Sequence, residues 1–252
     1  MFFFLLPGLL TYNWILILSA VLPALFLLVK VYKADKLEKE SPALIRSLAL
    51  QGIFATFFAL LAERILGALL DSFASIGQPL YNILLYFVVV GFSEESAKYV
   101  LLKRRTWNDR EFNCQFDGVV YAVTVSLGFA LWENISYVML YGFGTALVRA
   151  VTAVPGHACF GVFMGVFYGQ AKRFDYLGKA GASKACRVAC LVVPALIHGA
   201  YDYIASIESE NATWLFLAFV VVLFVVSYSM VVTASRNDRR IDRHYSTFEI
   251  IK

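Results

Sequence analysis

The stretch ATWLFLAFVVVLFVVSYSMVVTA, residues 212–234, runs 23 positions without a charged side chain. As a helix it is about 34 Å long, enough to cross about 30 Å of hydrocarbon. Backbone groups in lipid must bond within their own segment, so a helix is the natural conformation. A β-barrel needs alternating strands of about ten residues, which uninterrupted apolar runs of this kind exclude. Six more apolar segments precede it, roughly at 10–31, 47–70, 79–101, 118–141, 147–170 and 188–206. The composition agrees: 60% of the chain is hydrophobic, 16% is charged, and the mean hydropathy is +0.69. Those charges are too few to wet the surface of a soluble domain of 252 residues. The expected fold class is all-α, a polytopic membrane helical bundle of about seven transmembrane helices. It forms one membrane-embedded domain over 1–252, with its motif-bearing core at 79–206.

Charge sets the orientation. Of 22 basic residues, 19 fall after the first, third and fifth segments or in the C-terminal tail. Lys103, Arg104, Arg105 and Arg110 are one such group; Lys172, Arg173, Lys179, Lys184 and Arg187 are another. The opposite connections carry Asp71, Glu208 and Glu210, with Arg149 at an edge. This bias places the N-terminus outside and the C-terminus in the cytoplasm, which an odd number of spans satisfies. It also accounts for the net charge of +4 without any nucleic-acid partner. The N-terminal MFFFLLPGLL has no basic region before its apolar run, so a retained span is expected rather than a cleaved signal. Cys114, Cys159, Cys186 and Cys190 form no CxxC pair and are read as small apolar residues, not disulfides.

Ionisable residues within spans are costly in lipid, so they face the bundle interior and mark function. GFSEESAKY, residues 91–99, places Lys98 four residues after Glu94 and three after Glu95. Lys98 can pair with either, leaving the other carboxylate for proton transfer. In GFALWENISY, residues 128–137, Phe129, Glu133 and Tyr137 share one helix face. Glu133 and Asn134 suit either interhelical hydrogen bonding or a catalytic role. VPGHACFGVFMGVFYGQ, residues 154–170, sets His157, Gly161, Gly165 and Gly169 four apart, a groove for close helix approach with a histidine at one end. PALIHGAYDY, residues 194–203, puts His198 and Asp202 one turn apart, suited to two ligands or to a histidine and the carboxylate that orients it. Adjacent Glu63 and Arg64 read as structural residues, each needing its own partner helix. Arg149 either snorkels or binds a substrate carbonyl, and snorkelling is the preferred reading.

Two histidines and several carboxylates on four spans suggest one site. They offer zinc ligands, with Glu133, His157 and His198 the expected set; water activation by glutamate and histidine without metal is the alternative. No HExxH occurs. A proton-coupled transporter or channel is the competing class, against which stands the lack of visible internal repeats.

EESAK, FALWE, HACFG and HGAYD, in that order, resemble the EExxK, FxxxE, HxxxG and HxxxD motifs of the PrsW family, bacterial intramembrane proteases distantly related to CAAX-prenyl endopeptidases and Abi proteins. The resemblance covers about residues 94–202. It implies a multi-pass peptidase of the bacterial plasma membrane with functional residues Glu94, Glu95, Glu133, His157, His198 and Asp202. It also implies a single-span membrane substrate, an anti-sigma factor, cut first on its extracytoplasmic side. In the expected mechanism Glu95 activates water, His157 and His198 bind metal or hold the oxyanion, and Asp202 orients His198.

Overall fold

The computed structural model describes residues 14–73 and 77–241. Residues 10–13 of the first expected span lie outside that range, as do the N-terminal apolar run and tail residues Arg243, His244 and Lys252. The described residues form seven helical rods. The first is α1 (Trp14–Ala34) and the second α2 (Pro42–Asp71). The third is continuous but mixed: α3 (Gln78–Leu84), a π-helical stretch (Leu85–Phe92) and α4 (Ser93–Thr106). Next come α5 (Asp117–Tyr141), then α6 (Phe143–Val151) bent into α7 (Ala153–Tyr176), then α8 (Ala180–Ala205) and α9 (Glu210–Arg236). Where described, all seven expected segments are helical. Six are uninterrupted or gently broken rods long and apolar enough to cross a membrane. The third falls outside that count because its π stretch divides it.

Local sequence sets the ends. Ser41 caps α2 by accepting from the Leu44 N–H at 3.2 Å, and Pro42 follows at the first helical position, where a missing N–H costs nothing. Gly142 ends α5 at φ +84°, a left-handed conformation that a side chain resists.

The α5 helix is the axis of the bundle. Every residue from Asp117 to Ala130 is buried, and α5 packs on α7, α2 and α1. Backbones meet there. A Cβ on Gly165 would lie 2.5 Å from Val119 Cα, and one on Gly128 would lie 2.2 Å from the Ala49 carbonyl. The small-residue groove expected on 157–169 is therefore filled by α5. Outer helices keep apolar side chains exposed, among them Leu22 and Phe26 on α1 and Val221 and Val225 on α9. Those faces suit lipid.

At the end of the bundle carrying the basic connections, the chain after α9 docks on the 113–116 loop. The Ile241 N–H donates to Asn113 O at 2.6 Å and the Gln115 N–H to Arg239 O at 2.9 Å. Cys114 is fully buried beneath this contact, and burial pushes its thiol pKa well up.

Candidate active site

The π stretch brings the acidic pair into place. A Cβ on Gly91 would lie 2.8 Å from Ala195 O, and one on Gly199 would lie 2.7 Å from the Phe87 ring. Two glycines thus let the π stretch and α8 touch backbone to backbone, just before Glu94 and Glu95 open α4. π-Helical turns inside α-helices occur disproportionately at functional sites.

Around that contact four helices converge. Lys98 Nζ donates to Glu95 Oε1 at 2.7 Å and to Glu94 Oε2 at 3.2 Å. It pairs with both glutamates, not one. The same ammonium lies 3.1 Å from His157 Nδ1 on α7. An ammonium only donates, so Nδ1 accepts, and the His157 Nε2–H donates to Glu133 Oε2 on α5 at 2.7 Å. His198 on α8 has Nδ1 at 3.0 Å from Glu95 Oε1 and Nε2 at 3.3 Å from Asp202 Oδ2. Aromatic rings wall the cluster. Phe160 stacks on His198 at 4.6 Å, and Lys98 sits 3.9 Å over the Phe129 ring.

These groups border a cavity of about 490 Å³, within the usual range for ligand sites. Glu94, Glu133, His157, His198 and Asp202 line it. Glu95 and Lys98 do not; both are fully buried behind it.

Two further lining residues depart from the sequence reading. Glu63 is not only a structural partner on α2: it faces the cavity. Thr56, Ala59 and Leu60 line the same wall, at the i, i+3/i+4, i+7 spacing of one helix face. Arg149 does not snorkel to an interface. It donates to Glu133 Oε2 at 2.8 Å and Asn134 Oδ1 at 3.0 Å, with its guanidinium over the Tyr137 ring. Nothing local in the sequence distinguishes these roles, because both depend on which way a helix faces. Asn134 is the interhelical tie, donating to Ala20 O on α1 at 2.9 Å.

The donor set fits a divalent metal ion. Glu94, Glu95, His157 and His198 each present a ligand atom, and these atoms lie within 4.8 Å of one another. Glu95 Oε2 is buried with no hydrogen-bond partner. Five carboxylates, including Glu63 and Asp202, gather around two cations, Lys98 and Arg149. Imidazole and carboxylate are zinc ligands. The grouping differs from the expected Glu133–His157–His198 set: Glu133 lies on the far nitrogen of His157, the position of a carboxylate that orients a ligand.

Comparison with known proteins gives one consistent result. The model of a family described as PrsW family intramembrane metalloprotease matches residues 40–231. A protein named Protease PrsW from Halalkalibacterium halodurans is 30% identical over 224 residues, covering 89% of this chain and 99% of that one. Its namesake from Bacillus subtilis is 42% identical over 142 residues, covering 55% of this chain and 61% of the other. A third, from Clostridioides difficile, is 27% identical over 216 residues, or 84% and 88% of the two chains. No solved structure matches.

Proposed function

The chain belongs to the PrsW family of intramembrane peptidases, and on that premise we propose that it hydrolyses a peptide bond of a single-span membrane protein in the cavity bordered by Glu94, Glu133, His157 and His198. The observation that carries this reading is the convergence of all four motifs, from α4, α5, α7 and α8, on one cavity. Family membership weighs against the proton-coupled transporter.

Glu94 is the residue we assign to water activation, in place of Glu95. A base must reach the reacting water; Glu94 lines the cavity, whereas Glu95 is enclosed and held by Lys98 and His198. Lys98 fixes both carboxylates in position. Glu133 holds the His157 ring through Nε2, and Asp202 does the same for His198. Arg149 holds Glu133 in turn. His157 and His198, with a glutamate of the pair, are the residues that would hold a zinc ion, His157 giving up its contact with Lys98 and His198 its contact with Glu95 to do so. When bound, the ion supplies Lewis-acid polarisation of the scissile carbonyl and eases deprotonation of water. After attack, the proton on Glu94 is available to the leaving amine.

Depth supports cleavage within the membrane, on its outer side. His198 lies 11 residues beyond Arg187, about 16 Å along α8, and Glu94 lies nine residues before Lys103, about 14 Å along α4. His157 lies 19 residues before Tyr176, about 28 Å along α7 from the end with the basic connections. If the basic end is cytoplasmic, the cavity spans from the middle of a bacterial plasma membrane toward its outer face. That is where an anti-sigma factor would receive its first, extracytoplasmic cut.

The test is cleavage of a single-span anti-sigma factor by purified protein in proteoliposomes, with and without chelation. Wild-type cleavage that disappears in Glu94→Gln and on chelation, and returns with zinc, supports the full reading. Cleavage that survives chelation retains the peptidase and removes the metal. Cleavage undiminished in a folded Glu94→Gln protein overturns the site.

A further inference from the structure

A second carboxylate cluster lies at the other end of α5. Asp35 follows α1, Glu40 precedes α2, and Asp117 opens α5; the three are 2%, 3% and 1% exposed. One oxygen from each lies within 4.8 Å of the others. Asp117 is 16 residues before Glu133, about 24 Å away along the helix, so this cluster is separate from the peptidase cavity.

Some of these oxygens have partners. Glu40 Oε2 accepts from the Tyr121 hydroxyl at 2.7 Å. Asp117 Oδ2 accepts the N–H groups of Cys114 at 2.7 Å and Asn113 at 3.0 Å. Three others are orphaned: neither Asp35 oxygen has a hydrogen-bond partner, and neither does Asp117 Oδ1. Buried oxygens without donors are expensive, and carboxylates more so. The Lys39 charge acts on Asp35 but makes no ion pair with it. The Lys39 ammonium is hydrogen-bonded instead to the backbone carbonyls of Tyr32 and Asp35.

We propose that Asp35, Glu40 and Asp117 bind a hard divalent cation, Ca²⁺ or Mg²⁺, that ties the α1–α2 connection to the start of α5. The ligand set is oxygen only, which disfavours zinc and favours these two ions. Three carboxylates from three separate segments supply the charge, and the orphaned oxygens of Asp35 and Asp117 are the free lone pairs. The cation is a structural clamp; it holds the first helix against the axis of the bundle and takes no part in hydrolysis.

The probe is Tb³⁺, an oxygen-seeking stand-in whose luminescence is excited through nearby tyrosine, here Tyr121. It is titrated into the full-length protein in detergent, in wild type, Asp35→Asn and the Glu94→Gln/Glu95→Gln double variant. The expected result is a saturable wild-type signal displaced by Ca²⁺ or Mg²⁺, at least tenfold weaker binding in Asp35→Asn, and unchanged binding in the double variant. Loss of the signal in the double variant, with retention in Asp35→Asn, would move the cation to the peptidase site and sink the proposal. So would a wild-type protein with no displaceable signal. Melting curves guard against misfolding: Ca²⁺ or Mg²⁺ should raise the wild-type Tm and leave that of Asp35→Asn unmoved. An Asp35→Asn protein that melts above wild type, with neither responding to cation, would mean the carboxyls hold protons instead.

Discussion

Lys98 is fully buried, yet it carries two carboxylates and touches a histidine ring nitrogen. Removing one partner of a buried ionic cluster leaves the others unpaired, at a typical cost of about 3–5 kcal/mol. Lys98→Met should therefore lower the thermal midpoint in detergent substantially, besides abolishing cleavage. Glu94→Gln is isosteric and relieves like charge beside Glu95. It should keep the fold and reduce turnover by about 10²-fold or more, the usual contribution of a positioned base. A full kinetic comparison with Glu95→Gln separates the roles: Glu95→Gln should also lower the melting temperature, because Glu95 anchors Lys98 and His198. Arg149→Ala frees Glu133 and Asn134 together and should cost about 1–3 kcal/mol, with a fall in activity that Arg149→Lys only partly restores. The motif residues at this scale were legible in the sequence because charge in an apolar span stands out. Glu63 and Arg149 were misread because a lone ionisable residue reveals its presence but not its direction.

At the scale of elements, the third rod is where chemistry and packing meet. Its π stretch and α8 touch through Gly91 and Gly199. Gly199→Ala would press a methyl group to 2.7 Å from the Phe87 ring and 2.8 Å from Phe87 Cα. The rods must separate, carrying Glu95 away from His198. We expect at least a tenfold loss of cleavage with a destabilisation of about 1–3 kcal/mol, the range for overpacking. The seven helices were readable from hydropathy alone, and the 161–169 glycines announced a close neighbour. Which neighbour they meet, α5, was not readable, since a groove does not name its ridge. The π stretch was also invisible, because LYFVVVGF is an ordinary apolar run.

For the whole molecule, seven rods put Trp14 and Arg236 at opposite faces of the bundle. The assignment of the basic face to the cytoplasm is testable by labelling. Cys114 is unsuitable as a native reporter because it is fully buried beneath the C-terminal contact, so it should resist thiol reagents until the protein unfolds. A cysteine introduced at exposed Asn108 should label in inverted vesicles and not in intact cells, and one at exposed Glu210 should do the reverse. The opposite pattern would invert the orientation and, with it, the face from which substrate is cut.

Hydropathy, charge bias and the spacing of a few ionisable residues were enough for the membrane-spanning character, the number of rods and most of the ionisable residues that line the cavity. Each of these follows from an energetic cost that acts locally: an unpaired backbone group, or a charge, in hydrocarbon. Which carboxylate faces the cavity, which histidine nitrogen meets which partner, and the meeting of Asp35 with Asp117 across 82 positions all depended on the helices being packed. Those are relations between faces of different rods, set by helix rotation and close approach at Gly91, Gly165 and Gly199, and no single segment encodes them.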